Sequence, residues 1–245
     1  MDYSQPVLEG PGDTDYARYM RTDELLSLQR QPEEMVHHDE LLFQTVHQST
    51  ELWLNHACFE IERAIHEINC DQVEQAIAYV LRAATGAELI CTQLEMMSHL
   101  TPADFQKVRP ELGNGSGFES PGWKGVSEVS PRLGQAFDRL CEKNKIELLT
   151  LYSESIHTPI YRLAEALVEW DERIALWRVR HFRIAVRTIG IQAVGTKGTP
   201  VEHLFRLISR NFYPHLWQVR SELTMTGPLG NLKPASETEG PICPM

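Results

Sequence analysis

The sequence predicts an all-α protein, a single-domain helical bundle, on three observations. Long stretches carry apolar residues at three- and four-residue steps, the period of a helix with one buried face. Two-residue alternation is almost absent, and no Asn-Gly or Asp-Gly hairpin signal occurs. Clusters of glycine and proline separate the periodic stretches, as connections between packed helices do.

The elements follow in order. Residues 1–14 are rich in Gly, Pro and Asp without periodicity and read as a mobile tail. Tyr16, Tyr19, Met20, Leu25, Leu26 and Leu28 keep helical spacing, with a helix start offered at Thr22, and Gln31-Pro32 breaks the run. From Glu40 to Asn69 the positions Leu42, Val46, Ser49, Trp53, Ala57 and Ala64 form the longest uninterrupted helical signal. Residues 71–98 repeat it through Val73, Ile77, Val80, Leu81, Ala84 and Leu89. Thr101-Pro102 opens another helix, with proline at the first helical position. Pro110, Gly113, Gly115, Gly117, Pro121, Gly122 and Gly125 then predict a long loop. Helical signal returns at Arg132–Cys141 and Glu147–Tyr152, and runs strongly over 160–191. Gly195–Pro200 reads as a connection, Val201–Phe212 as a helix, and Tyr213-Pro214 as a break before a short piece ending near Leu223. Together these give one helical domain over 15–224, with antiparallel long helices, and a disordered tail over 225–245.

Composition excludes several classes of function. The 245 residues carry 23 Lys+Arg against 34 Asp+Glu, a net charge of −11, which opposes binding to nucleic acid or an anionic membrane. No apolar run approaches the ~20 residues that span a bilayer. Met1–Gly12 lacks the basic-then-apolar pattern of a secretory signal. Five cysteines without CxxC or repeated spacing argue against a disulfide framework or zinc site and make a reducing cytoplasm the default. Phosphate-binding, zinc-protease and serine-hydrolase motifs are missing from the sequence.

Ten histidines remain to be sorted. Phe43, His47 and Glu51 fall at i, i+4 and i+8, near one helix face. There an aromatic can wall an apolar pocket beside an imidazole, although a hydrogen-bonded core or surface histidine fits the same spacing. His181 lies among Ile174, Trp177, Ile184, Ala185 and Thr188, with Arg178, Arg180, Arg183 and Arg187 around the helix. A histidine on an apolar stripe can ligate a haem iron while arginines pair with propionates, or it can bond a backbone carbonyl. His37-His38 beside Asp39 and Glu40 resembles a metal site only loosely, since adjacent helical residues point apart.

Read jointly, several strings resemble one family. Asp15-Tyr16-Ala17-Arg18-Tyr19-Met20, Asp23–Gln29 and His47-Gln48-Ser49-Thr50-Glu51-Leu52-Trp53 look like the N-terminal half of tryptophan 2,3-dioxygenases. Arg180-His181, Val186–Gly190, Gly195-Thr196 and Tyr213–Arg220 look like their C-terminal half. The resemblance implies an all-α enzyme dependent on haem b, with O2 as co-substrate, acting on an indole amino acid as a homotetramer (a dimer of dimers). It implies that His181 is the proximal iron ligand, with Trp177 beside it at the cofactor. His47 would be the distal histidine facing the indole N–H, and Phe43 the aromatic on the indole ring. Tyr16 and Tyr19 would reach a neighbouring subunit's pocket, and Thr196 would hold the amino-acid end.

Two stretches depart from the family pattern. Where it reads Ser-Gly-Phe-Gln-Ser-x-Gln-aromatic-Arg, this chain has Ser116-Gly117-Phe118-Glu119-Ser120-Pro121-Gly122-Trp123-Lys124. The carboxylate-clamping arginine thus becomes Lys124, a point charge without a bidentate fork. Where the pattern reads Gly-Thr-Gly-Gly-Ser-Ser-Gly, the chain has Gly195-Thr196-Lys197-Gly198-Thr199-Pro200. Trp123, Lys124 and Thr196 are therefore candidate substrate contacts in altered loops. The expected reaction is oxidation of the indole C2–C3 bond to an N-formylkynurenine-type product. A modified tryptophan, β-substituted or with a masked carboxylate, stands beside L-tryptophan as substrate, and secondary metabolism would suit it. Insertion of a single oxygen, giving an oxindole or hydroxylated aromatic, is the alternative outcome. A helical binding protein that has lost haem is the alternative of another class.

Overall fold

The computed structural model describes residues 5–154, 157–228 and 230. Among them the α-helices are α1 (Asp15–Met20), α2 (Thr22–Leu26), α3 (Glu40–Asn69), α4 (Val73–Gln93), α5 (Pro102–Val108), α6 (Pro121–Asn144), α7 (Leu148–Glu154), α8 (Pro159–Ile189), α9 (Glu202–Ile208) and α10 (Pro214–Thr226). No strand occurs among the described residues, so the all-α expectation holds.

Four long helices make the frame. α3 packs on α4 and α6, and α4 packs on α8. Side-chain pairs fix their directions. Arg82 on α4 bonds Glu60 on α3, while Gln93, further along α4, bonds Thr50, earlier on α3, so these two run antiparallel. Arg132 and Lys143 on α6 pair with Glu62 and Asp71, so α6 runs parallel to α3. Arg162 and Arg180 on α8 pair with Glu74 and Glu95, so α8 runs parallel to α4. Consecutive long helices therefore alternate in direction. Their apolar faces meet in one core that includes Leu54, Ile61, Val80, Ile90, Leu133, Phe137, Leu167, Trp170 and Ile174.

Two boundaries differ from the sequence reading. The predicted loop through Pro121, Gly122 and Gly125 is the start of α6. Ser120 caps it by accepting the Trp123 N–H at 3.1 Å, and Pro121 sits in the first turn, where its missing N–H costs nothing. The glycines serve packing here. A Cβ on Gly122 would lie 2.7 Å from Leu54 Cβ, and one on Gly125 would lie 3.0 Å from Cys58 Sγ, so α6 could not approach α3 so closely. The second difference is the N-terminal run, which splits into α1 and α2 because Arg21 takes a left-handed conformation at φ 52°.

Pro214 likewise begins a helix, α10, which continues to Thr226. Within the stretch read as an N-terminal tail, Asp15 accepts the Val7 and Leu8 N–H groups at 2.9 and 2.7 Å. Arg18 Nε donates to the Gly12 carbonyl at 2.9 Å, so residues 7–12 are held against α1. Of the C-terminal stretch, residues 231–245 lie outside the described residues.

A buried carboxylate anchors the start of α10. Asp171 on α8 accepts the N–H groups of Phe212 (3.0 Å) and Tyr213 (3.2 Å) and the indole N–H of Trp217 (3.0 Å). Tyr213, fully buried, donates its hydroxyl to the Ser130 carbonyl at 3.1 Å. Removing Asp171 would strand three donors in the interior. We expect Asp171→Ala to cost about 3 kcal/mol, measured as a lower urea midpoint with an unchanged slope. A loss within ±0.5 kcal/mol, typical of a neutral surface change, would show that water replaces these bonds.

Candidate active site at one end of the bundle

The alternation of helix directions gathers chemistry-bearing residues at one end of the frame. Phe43 and His47 lie early on α3, Trp123 in the first turn of α6, and Trp177 and His181 late on α8. A small apolar cluster of Val46, Leu94, Met97, Leu100 and Ile184 joins α3 to α8, and both Phe43 and Trp177 pack against it.

On α3 the Phe43 and His47 rings stack with centroids 4.1 Å apart. His47 Nδ1 lies 2.7 Å from the Phe43 carbonyl oxygen. A carbonyl only accepts, so Nδ1 carries the proton in this contact. The neutral ring is therefore the Nδ1–H tautomer, and Nε2 keeps its lone pair. His47 is open to solvent, yet surrounding protein strips hydration from its charged form, as at the wall of a concavity. This desolvation lowers its pKa, against the raising effects of the Phe43 carbonyl and Glu51. Phe105 on α5 extends the aromatic wall, 6.0 Å from Phe43.

On α8 the His181 imidazole stacks on Trp177, with centroids 4.7 Å apart and planes 12° apart. Trp177 in turn meets Trp123 at 4.0 Å. Burial, reinforced by repulsion from His47, pushes the His181 pKa down to about 4. The two histidines are thus close enough to feel each other's charge. His181 is a neutral imidazole at ordinary pH, with no hydrogen-bond partner among the described residues. That is the form that donates a lone pair to a metal. The buried indole N–H of Trp177 is unpaired as well, a polar atom on this wall that nothing among the described residues satisfies.

The arginines around His181 divide into two groups. Arg178 donates to the Leu207 and Arg210 carbonyls, and Arg180 pairs with Glu95. Arg183 and Arg187 make no ion pair among the described residues and stay available to an anionic group. Arg187 also lines an open concavity of about 500 Å³ between α5 and the end of α8, bounded by Pro102, Gln106, Thr188 and Ile189. A second concavity, of about 580 Å³, lies at the opposite end of the bundle among Asp71, Val73, Leu140, Lys143 and Ile160, away from both histidines.

The two glycine-bearing loops meet over this end. Glu51, one turn beyond His47, accepts the Ser120 hydroxyl and, at 2.8 Å, the Gly122 N–H. The loop before Ser120 is joined to the 195–200 loop, because Thr196 donates its hydroxyl to the Gly115 carbonyl and Lys197 pairs with Glu119. Arg109 adds a bond to the Val194 carbonyl at 2.7 Å. Thr196 thus spends its hydroxyl within the protein. Lys124 is exposed on α6, within electrostatic range of Glu119.

Tyr16 and Tyr19 stand exposed on α1, joined to neither histidine by a hydrogen bond or ring contact in this chain. His37 falls outside any helix and bridges two carboxylates, Asp104 at 3.2 Å and Asp39 at 3.8 Å. Asp104 also holds Lys107 and Thr101, so its oxygens already have partners within the protein. Sequence reasoning missed Phe105 and the Glu51–Ser120–Gly122 contact. For Glu51 the signal was available in its helical register with His47.

The sequence model that describes tryptophan 2,3-dioxygenase matches residues 1–145, more than half of the chain. The chain belongs to the tryptophan 2,3-dioxygenase family. Relatives named tryptophan 2,3-dioxygenase carry the similarity past residue 145. One from Myxococcus xanthus is 28% identical, over 89% of this chain and 92% of its own length. One from Kineococcus radiotolerans is 29% identical over 85% and 91%, and one from Rhodococcus jostii is 30% identical over the same shares. A tryptophan dioxygenase of this family is an oxidoreductase, so the end of the bundle with His47 and His181 is the place to look for its chemistry.

The titration of His181 gives a test in the metal-free protein. Folded His181 holds a proton less tightly, at about 4, than its ordinary 6.5, so falling pH favours the unfolded chain. Stability is full above 6.5 and declines progressively as the pH drops toward 4. Urea denaturation at pH 7, 5.5 and 4.5 should show the decline, and His181→Gln should flatten it. An equal slope in the variant would mean that His181 is not desolvated.

Proposed function

We propose that the chain is a haem-dependent oxygenase that oxidises the indole C2–C3 bond of L-tryptophan or a modified, for example β-substituted, tryptophan. The observation that carries this reading is the pairing of two neutral histidines, each stacked on an aromatic ring, at one end of the bundle.

Haem b supplies a redox-active iron that binds O2, the co-substrate. His181 would hold that iron through an imidazole nitrogen, and the Trp177 stack fixes the plane of its ring. The orphaned Trp177 N–H and the uncommitted Arg183 and Arg187 fit a bound group with polar edges. Phe43 packs on the indole and, with Phe105, Leu100 and Met97, keeps water from its face. His47 accepts the indole N–H at Nε2, because Nδ1 is committed to the Phe43 carbonyl. This contact orients the C2–C3 bond and can take up proton density from the ring nitrogen as it reacts. Trp123 supports Trp177 from behind.

Thr196, on the 195–200 loop, and Lys124, in the first turn of α6, would meet the amino-acid end, with Thr196 exchanging its bond to Gly115 on substrate entry. Tyr16 and Tyr19, exposed on an arm with little core of its own, suit a role in a neighbouring subunit's pocket within a homotetramer. No helix of the described residues is long and apolar enough to cross a membrane, and the patternless cysteines suit a cytoplasmic enzyme.

Haem-loaded protein should show a Soret band near ~400 nm, absent from His181→Ala. His47→Ala should keep the band and slow turnover by about 10²-fold. Anaerobic titration of the ferrous protein with L-tryptophan and β-substituted analogues should shift the band saturably. With ¹⁸O2, two labelled atoms in a ring-opened product support the dioxygenase reading. One labelled atom in an unopened ring assigns the monooxygenase outcome instead. A protein that takes up no haemin sinks the proposal.

A further inference from the structure

The loops that meet at the mouth of the site carry charges that cancel one another. Glu119 and Lys197 are 78 residues apart in sequence, yet their side chains form a direct ion pair. Both stand where the family pattern quoted above has uncharged residues, glutamine and glycine. The pair bridges the two loops beside the Thr196–Gly115 hydrogen bond, and Glu51 anchors the first loop one turn beyond His47. The same Glu119 carboxylate accepts the Ser116 N–H at 3.0 Å and feels the Lys124 ammonium. One internal carboxylate therefore answers the cations of both loops.

We propose that the Lys197–Glu119 pair is a selectivity element: it gives the site mouth a carboxylate of its own and so favours indole amino acids whose carboxyl group is masked as an amide, ester or thioester. The inference rests on the indole-oxygenase reading above. A free carboxylate reaching the mouth must either displace Glu119 from Lys197 or lie beside Glu119 and meet its repulsion. A masked carboxyl group does neither and still presents hydrogen-bonding atoms to Thr196 and the loop backbone. Lysine suits the arrangement, because a single point charge on a flexible stem can be spent on Glu119 without a geometric fork left over.

The test is a binding titration of the haem-loaded, ferrous, anaerobic protein, by calorimetry and by the haem spectrum, with L-tryptophan and L-tryptophanamide. The wild-type protein should bind the amide more tightly. Glu119→Gln, which frees Lys197, should tighten L-tryptophan by about threefold, the scale of one exposed charge pair, and leave the amide unchanged. Lys197→Gly should weaken L-tryptophan further. Raising salt should narrow the wild-type preference and, in Glu119→Gln, weaken the gained L-tryptophan affinity while leaving the amide little changed. Circular dichroism confirms that the variants are folded. Equal affinities for acid and amide, or a ratio unmoved by Glu119→Gln, overturn the selectivity role and leave the indole reading standing. Absence of binding by either ligand overturns both.

Discussion

At residue 122 there is no room for a side chain between α6 and α3, and much of the site follows from that constraint. With hydrogen in place of a Cβ, the first turn of α6 sits directly on Leu54 and gives its N–H to Glu51. Glu51 lies one helical turn beyond His47. Trp123, the next residue on α6, is thereby set against Trp177, and Trp177 against His181. The face of one histidine and the stacking partner of the other are thus linked through a short run of contacts. Displacing α6 by the width of a methyl group would disturb both walls of the site together.

Asp171 plays a comparable part further along α8. One buried carboxylate gathers the start of α10, so Tyr213 can close over Ser130 and Gly134 in the core. In both places a polar group does what apolar packing alone cannot. It fixes the register of one helix against another, because an unpaired donor in the interior is costly.

The frame was legible in sequence because it obeys the helical period, whereas spacing alone left both histidines open and only the family resemblance singled them out. Val46, Ala57 and Ala64 on α3, and Leu163, Leu167, Ile174 and Ile184 on α8, could be read from spacing alone, whereas Trp53, read onto the same stripe, is exposed and its neighbour Leu54 is buried instead. The start of α6 was not legible. Pro121, Gly122 and Gly125 carry the composition of a loop, and only a partner surface on α3 explains why they belong to a helix. Arg21 shows the converse, an ordinary residue whose left-handed conformation ends α1 with no glycine to announce it. The meeting of Glu119 with Lys197, and of Glu51 with Ser120, is long-range. Such contacts have no local signature and appear only once the fold is assembled. Phe105 is missed for the same reason, since nothing in its own short helix points to Phe43.

The two ends of the bundle are built differently. At the far end, α3 turns into α4 through Cys70–Gln72, and α6 into α7 through Lys145–Ile146–Glu147, connections of three residues each. At the site end, the chain makes wide excursions over residues 94–120 and 190–201 before rejoining the frame. Short turns close cheaply and bring neighbouring helices together early, so folding can proceed from that end with little help from the other. The excursions are then free to accumulate substitutions at small cost to assembly. A lineage could rewrite the two loops while the helices that carry the paired histidines stay as they are.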